Sequence, residues 1–286
     1  MSGVLYVVGT PIGNLGDITT RQLEILESVA VIAAEDTRVT RKLLTHFDIH
    51  TPLVSYHEHS TQSVLDGLIA RLVQGESIAV VTDAGMPCIS DPGAKLVLQA
   101  QAENLAIQVV PGPSAVISAL AVSGQDTTRF CFEGFLSVNK KQRNAHLAAL
   151  KHETRTMIFY EAPHKLINTL KDMATVFGGA RSLSLCRELT KLHEEVVKTT
   201  FAHALAHYES TPPRGEFVLV VAGASAPEAD EKMTAETALS LVRARVAQGA
   251  RAADACREIA AETGISKREL YRKLMDESEA SSNHAV

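Results

Sequence analysis

The sequence predicts an α/β protein built from two α/β domains and a smaller helical domain. Short apolar runs of strand length alternate with helical patterns through most of the chain, which is typical of largely parallel sheets. The length of 286 residues is about twice that of a typical domain. Only helical patterns follow a small, proline-containing stretch near residue 225. The predicted parts are an N-terminal α/β domain at 1–122, a C-terminal α/β domain at 123–224, a linker at 225–233, a helix-turn-helix-like domain at 234–277 and a disordered tail at 278–286.

Composition excludes several classes of protein. Hydrophobic residues make up 45% of the chain and charged residues 21%, as in ordinary globular proteins. The net charge of -5 excludes a globally basic nucleic-acid binder. The four cysteines form no C-x-x-C pair, which favours a reducing compartment and no metal site. Since no basic leader precedes the first apolar run and no apolar run reaches about 18 residues, we expect a cytoplasmic protein that does not span a membrane.

Strands and helices alternate in the predicted first domain. Apolar runs bounded by turn residues predict strands at Val4–Val8, Val29–Ala34, Ser77–Thr82 and Ile107–Val110. Helical spacing predicts helices over Thr20–Glu27 and Ser63–Val73.

The predicted second domain follows a break at residues 123–126. Its strands are predicted at Arg129–Glu133, Thr156–Tyr160, Ser182–Arg187, Glu195–Thr200 and Glu216–Val221. Because Glu195–Thr200 follows another strand directly, we expect an antiparallel pair there.

Three helices are predicted after the linker. They cover Thr234–Gln248 and Ala252–Thr263, and a third begins at Ser266, whose spacing to Glu269 is that of a capping box. Together with the glycine turn before the last helix, this pattern resembles a helix-turn-helix. Residues 243–273 hold eight basic and four acidic side chains, a local balance of +4. Both a solvated surface and a face that contacts nucleic-acid phosphates fit this balance.

Four loops that follow predicted strands could form a ligand cleft. The first, Val7–Thr19, lacks both the G-x-G-x-x-G spacing and a G-K-[ST] sequence, which excludes the dinucleotide and ATP phosphate loops. The carboxyl ends of parallel strands meet at one edge of a sheet, where ligands bind. Alternatively, the glycines and prolines of these four loops only form turns, and the loops bind no ligand. The other three loops are Ala33–Leu44, Val80–Gly93 and Val109–Leu120.

Charged groups are few in these loops. The first domain contributes Asp17, Glu35, Asp36, Arg38, Asp83 and Asp91. The second domain has polar groups beside its strand ends, namely Glu161, His164, Lys165, Arg187, Glu188 and Lys191.

Six motifs in this order carry a family resemblance. They are LYVVGTPIGNLGDIT, AEDTR, DAGMPCISDPG, PGPSA, FYEAPHK and GEFVLVVAG. The chain resembles the tetrapyrrole methylase superfamily over about Val4–Gly223, and more closely its ribosomal RNA small subunit methyltransferase I branch. The resemblance implies S-adenosylmethionine bound between two α/β domains, a homodimer, and 2′-O-methylation of a cytidine ribose in the decoding region of 16S ribosomal RNA. Met86 stands where many superfamily members have an acid, which makes a porphyrinoid substrate less favoured.

The resemblance also implies site residues. Cofactor contacts are expected at Pro11, Gly85, Met86, Ile89, Ser114, Ala115, Tyr160, Glu161, Leu189 and Glu216. The basic and histidine side chains themselves, and not the resemblance, predict contacts with the rRNA or the 30S subunit at Arg38, Arg41, Lys42, His57, Lys267, Arg268 and Arg272. A weakly acidic ribose hydroxyl needs a proton acceptor or a nearby cation. The candidates for that role are Asp36, His57, Lys165 and Glu188, with Asp36 preferred and Arg38 on the adjacent phosphate.

Two other functions fit the sequence. The same fold could methylate a porphyrinoid or another small molecule, although the basic helical domain argues against this. Alternatively, the chain could be a non-enzymatic regulator that senses a ligand and binds DNA. The small size of the helical domain and the polar groups of the predicted cleft disfavour this alternative.

Overall fold

The computed structural model describes residues 2–224 and 235–282, and the chain divides into two compact units between Ala224 and Ser225. Within the described residues, the first unit contains two five-stranded sheets, and the second contains three helices. The linker predicted at 225–233 lies outside the described residues.

Ten strands form the two sheets. They are β1 (Val4–Val8), β2 (Val31–Ala34), β3 (Leu53–Ser55), β4 (Ile78–Val81), β5 (Ala106–Val110), β6 (Phe130–Phe135), β7 (Thr156–Glu161), β8 (Ser182–Arg187), β9 (Glu195–Thr200) and β10 (Phe217–Val221). The first sheet has the order β3-β2-β4-β1-β5, and all its pairs are parallel. The second has the order β6-β7-β10-β8-β9.

Eleven α-helices occur in the described part of the chain. They are α1 (Thr20–Ser28), α2 (Thr37–His46), α3 (Gln62–Val73), α4 (Ala94–Ala102), α5 (Ala115–Val122), α6 (Lys140–Ala149), α7 (Leu166–Phe177), α8 (Phe201–Ser210), α9 (Ala235–Ala247), α10 (Ala252–Thr263) and α11 (Lys267–Ser282).

Helices cover both faces of the first sheet. Alternate strand residues point to opposite faces, so Val31 and Val80 pack with α3 and α4, whereas Ile32 and Val81 pack with α1 and α2. Strands β2 and β4 are buried throughout, which explains their uninterrupted apolar sequences. This arrangement leaves the loops after β1, β2, β4 and β5 together at one edge of the sheet.

The second sheet is mixed, which corrects the expectation of largely parallel strands. Strands β6 and β7 are parallel, but β10 lies antiparallel between β7 and β8. The predicted antiparallel pairing of Glu195–Thr200 with the preceding strand is confirmed. Periodicity reports burial and not strand direction, so the orientation of β10 left no signal in the sequence.

Helix α5 joins the two halves of the first unit. It precedes the boundary predicted at Ser123, yet its buried residues Val116 and Leu120 pack with Ile158 and Val218 of the second sheet. Its first residues therefore lie beside the strand ends of both halves.

Two details of the first half differ from the sequence prediction. Strand β2 begins at Val31, because Val29 is the C-cap of α1. The three-residue strand β3 was too short to predict from periodicity.

The second unit has its own apolar core. Leu239, Val242, Cys256, Ile259 and Leu270 are buried, and they come from all three helices. Helix α10 ends at Thr263 and is followed by its C-cap, Gly264, which has a left-handed φ of 69°. Helix α11 continues to Ser282, so residues 278–282 of the predicted disordered tail are helical. Residues 283–286 lie outside the described part.

Candidate functional site

A cavity of about 460 Å³ lies where strand ends of the two sheets approach each other. The loop after β4 and the start of α5 contribute one wall, and the ends of β7 and β8 and the start of β10 contribute the other. Apolar side chains include Met86, Ile89, Leu189 and Val218. The cavity therefore combines apolar walls with the polar groups described below, as small-molecule sites do.

The glycine-rich first loop packs against the neighbouring loops. Thr10 and Gly85 exchange backbone hydrogen bonds of 2.9 and 3.1 Å. A Cβ on Gly9 would lie 2.7 Å from the Cα of Gly112, so glycine permits this close approach. The glycine at position 9 thus serves loop packing, and the neighbouring Ile12 reaches the cavity.

The loop after β4 has a strained backbone at the cavity wall. Cys88 and Ser90 adopt left-handed φ values of 71° and 63°, and Gly85 has φ of 85°. Such conformations persist in non-glycine residues only where the surrounding structure fixes them, and they concentrate at functional sites.

We expect Gly85→Ala to weaken ligand binding in the cavity about tenfold, because alanine at the left-handed φ of Gly85 costs about 1–2 kcal/mol and the loop would relax away from this conformation. Gly67→Ala is the matched control, since Gly67 lies in α3 with open space around its Cα. Isothermal titration with S-adenosylmethionine measures both variants. Wild-type affinity in Gly85→Ala would show that this loop does not shape the site.

Three acids of the first half lie at the cavity wall. Glu35 follows β2 directly, whereas Asp83 and Asp91 belong to the loop after β4. The Thr82 hydroxyl donates a 2.5 Å hydrogen bond to Glu35 Oε2. Desolvation, with repulsion from Glu35 and Asp83, raises the pKa of Asp91 to about 6. Desolvation also raises the pKa of Asp83. The acids repel one another, so this wall favours a cationic ligand.

A second charged group comes from the other half. Lys191 Nζ lies 2.9 Å from Glu188 Oε1 and 2.8 Å from Glu216 Oε2. Glu188 Oε1 also accepts a hydrogen bond from the backbone N–H of Glu216, and these bonds lower the pKa of Glu188. Gly215 is needed here, since a Cβ would lie 2.5 Å from the Glu188 side chain. This network fixes the loop after β8 at the cavity wall.

Glu161 is buried at the end of β7. Its carboxylate accepts hydrogen bonds from the Thr169 hydroxyl and the Ala162 N–H, at 2.5 and 2.9 Å. These bonds fix its orientation at the cavity.

The structure brings most of the expected cofactor residues together. Gly85, Met86, Ile89, Ser114, Ala115, Tyr160, Glu161, Leu189 and Glu216 all line the cavity. Pro11 is buried and does not line it.

The candidate catalytic residues are more dispersed. Glu188 lines the cavity, but Asp36, Arg38 and Lys165 do not. Asp36 is the N-cap of α2: its carboxylate accepts a hydrogen bond from the Arg38 N–H and forms an ion pair with the Arg38 side chain at 2.6 Å. These bonds lower the pKa of Asp36 to about 2. Lys165 is the N-cap of α7.

The expected RNA contacts lie on several surfaces. Arg38, Arg41 and Lys42 are exposed on α2, and His57 lines a second cavity. Lys267, Arg268 and Arg272 are exposed on α11 in the second unit.

Glu35, Asp83 and Asp91 are among the charged residues of the predicted cleft, but the sequence alone assigns them no role. Their position in the sequence is the signal that indicates a role. Glu35 and Asp83 come within two residues of the ends of β2 and β4, where parallel sheets bind ligands. Among the described residues, no cluster of three or more His, Cys, Asp or Glu side chains is arranged to hold a metal ion. No helix of residues 2–224 or 235–282 is long and apolar enough to cross a membrane.

Comparisons with known proteins agree with this architecture. The family model for Tetrapyrrole (Corrin/Porphyrin) Methylases matches residues 4–205. The ribosomal RNA small subunit methyltransferase I of a Synechocystis strain is 47% identical, with 96% of this chain and 98% of that protein covered. The protein of the same name from Pseudomonas aeruginosa is 45% identical, with 96% and 97% covered.

Solved structures share the fold at lower identity. The methyltransferase CobJ has a TM-score of 0.59 and 19% identity, with 78% of this chain and 95% of that chain covered. A uroporphyrin-III-C-methyltransferase from Thermus thermophilus has a TM-score of 0.54 and 19% identity, with 76% and 94% covered. The match of the family model and the near full-length relatives lead to one conclusion: this chain belongs to the tetrapyrrole methylase family, in its ribosomal RNA small subunit methyltransferase I branch.

Proposed function

We propose that this protein transfers a methyl group from S-adenosylmethionine to the 2′-hydroxyl of a cytidine in the decoding region of small-subunit ribosomal RNA. The observation that carries the proposal is an acid-walled cavity between the two sheets, in a chain whose relatives at 47% and 45% identity are named for small-subunit ribosomal RNA methylation. The ribose position and the nucleotide rest on the family resemblance.

The cavity residues fit S-adenosylmethionine. The cavity volume of about 460 Å³ is within the range of roughly 300–1,000 Å³ typical of small-molecule sites. Asp91 and its acidic neighbours suit the positive charge of the ligand. Ser114 makes no side-chain capping bond at the start of α5, so its hydroxyl and the first N–H groups of the helix suit the ligand carboxylate. When bound, S-adenosylmethionine supplies an electrophilic methyl group.

We propose Glu35 as the group that accepts the proton of the ribose hydroxyl. It lines the cavity, and its carboxylate is oriented by the Thr82 hydroxyl. The surroundings of Asp36 do not favour the predicted role as the base, because a carboxylate with a pKa near 2 accepts protons poorly and this one already stabilises α2. Arg38 is likewise paired with Asp36.

The second unit is proposed to contact RNA through α11, which exposes Lys267, Arg268 and Arg272. We expect removal of the residues after Ala224 to weaken binding of the small ribosomal subunit and to leave the affinity for S-adenosylmethionine unchanged, because the cavity lies wholly in the first unit. Filter binding at several salt concentrations and isothermal titration measure the two affinities. Equal subunit affinity and salt dependence in the truncated protein would contradict this role.

We also propose that the protein is a homodimer. Apolar side chains are exposed at Val109 on β5 and at Ile117 and Val122 on α5, which are residues that a partner surface would cover. Sedimentation velocity of the purified protein tests this directly, and a single monomeric species at micromolar concentration would contradict it.

The choice of acceptor separates this proposal from its alternatives. Labelled S-adenosylmethionine is offered with small ribosomal subunits, naked ribosomal RNA or a porphyrinoid. We expect label in the ribosomal RNA of one of the first two samples. Label in the porphyrinoid alone would favour a small-molecule methylase, and DNA binding with no transfer to any acceptor would favour a regulator.

A further inference from the structure

A second cavity, of about 410 Å³, adjoins the first. Glu35, Ser90 and Asp91 line both cavities, so these three residues form their shared wall. We propose that this second cavity, hereafter the acceptor cavity, receives the nucleoside of an unstacked RNA residue whose ribose hydroxyl is methylated. This inference rests on the proposed function and adds to it the site that holds the acceptor.

The position of the shared wall is what methyl transfer requires. The attacking oxygen and the methyl group must come from separate ligands and meet in a line, so two adjoining cavities with one common wall suit the reaction. Glu35, proposed above as the proton acceptor, belongs to that wall. A ribose placed in the acceptor cavity would therefore have its hydroxyl beside the group that takes its proton.

The lining of the acceptor cavity suits a nucleoside. The segment between β3 and α3 contributes Tyr56, His57, Ser60 and Thr61, and Gln62 begins α3. Tyr56 is buried, its hydroxyl is bonded to the backbone of Leu96, and the Gln62 amide donates to Asp66. The imidazole of His57 and the hydroxyls of Ser60 and Thr61 are the groups that can donate or accept hydrogen bonds to a base edge. Specific RNA recognition commonly holds single, unstacked bases in this way.

Charge gives the nucleotide a direction in the cavity. Two of the acids, Glu35 and Asp91, lie at the shared wall. Lys95 lies on α4 and lines the acceptor cavity but not the first cavity. A phosphate would be repelled at the shared wall and attracted at Lys95. The remaining acid, Glu58, is exposed. A single nucleotide with its phosphate toward Lys95 fits this charge pattern better than a small polyanion with several carboxylates.

Two variants test the acceptor cavity with a matched control. Lys95→Gln and His57→Ala alter its lining, and Lys151→Gln removes an exposed lysine that lines neither cavity. We expect Lys95→Gln and His57→Ala to raise the KM for small ribosomal subunits about tenfold. The Kd for S-adenosylmethionine and the Tm should stay at wild-type values, because none of these residues lines the first cavity.

Photocrosslinking tests whether the acceptor cavity holds the target cytidine, and it does not require catalytic turnover. Small ribosomal subunits whose decoding-region RNA carries a photoreactive cytidine are irradiated with the wild-type protein and S-adenosylhomocysteine. We expect crosslinked peptides to contain residues 56–62 or 90–95. Crosslinks only elsewhere, or none, would overturn the inference. A wild-type KM in both variants of an active enzyme would overturn it as well, whereas a wild-type protein that methylates no RNA would defeat the proposed function instead.

Discussion

The Asp91→Asn variant is expected to bind S-adenosylmethionine at least about tenfold more weakly than the wild-type protein at pH 7.5, and to unfold at a higher temperature in the absence of ligand. Asp91 is half-buried beside Glu35 and Asp83, and this environment raises its pKa to about 6. The ionised side chain is therefore unfavourable in the free protein and favourable beside a cation. Asparagine removes both effects, because it keeps the shape without the charge.

The sign of the pH dependence follows from the same pKa. The folded-state pKa of Asp91 lies above its ordinary value of 3.8, so its contribution to stability is fully present below about pH 3.8 and is lost as the pH rises through about 6. The affinity for S-adenosylmethionine should have the opposite pH dependence. It should fall as the pH drops from 7.5 to 5, because protonation of Asp91 removes its negative charge. Besides Glu35 and Asp83, the groups near Asp91 are Thr82, Cys88 and Tyr160.

Isothermal titration and thermal unfolding from pH 5 to 8 measure both effects. Asp17→Asn is the matched control, since Asp17 is exposed and lines neither cavity. Ligand affinity in Asp91→Asn that equals the wild type, or a pH dependence that persists in the variant, would contradict the role of Asp91.

The Glu35→Gln variant is expected to lose methyl transfer by a factor of about 10²–10⁴, measured with S-adenosylmethionine at saturation because the loss of one of the three acids also weakens binding of the cationic ligand. The amide keeps an oxygen that can accept the hydrogen bond from Thr82, so the local structure should persist, but the amide cannot take a proton. Single-turnover methylation of saturating small subunits isolates the transfer step from binding.

Asp36→Asn is the matched comparison for this prediction. Asparagine is a good N-cap, so α2 should remain intact although the ion pair with Arg38 is lost. We expect its single-turnover rate to stay near the wild-type value. A fast Glu35→Gln variant together with a slow Asp36→Asn variant would return the role of base to Asp36.

Much of the fold could be predicted from the sequence, because burial leaves a periodic signal. The sequence predicts strands at Ser182–Arg187, where Leu and Ser alternate, and at Glu195–Thr200, and these are the bounds of β8 and β9. Strand direction leaves no such signal, so the antiparallel position of β10 was missed. Helix α5 shows a related limit, since an apolar helix does not indicate which of two sheets it will cover.

The candidate site was predictable where backbone loops form it. Gly85, Ser114 and Leu189 line the cavity because their loops follow strands that end at the same place. The roles of the charged groups were harder to predict, since one of two neighbouring residues can line a cavity while the other caps a helix. Glu35 lines the cavity, whereas the next residue, Asp36, serves as an N-cap. Only the start of α2 at Thr37 distinguishes the two.

Nucleoside analysis of the reacted small ribosomal subunit tests the central claim most directly. Subunits from cells that lack this protein are incubated with the wild-type enzyme and isotopically labelled S-adenosylmethionine, and the RNA is digested and examined by mass spectrometry. We predict one new labelled nucleoside, a cytidine that carries the methyl group on its ribose, within the decoding region, and its absence when Glu35→Gln replaces the wild type. Label on a base, at a site outside the decoding region, or in no RNA nucleoside would contradict the account.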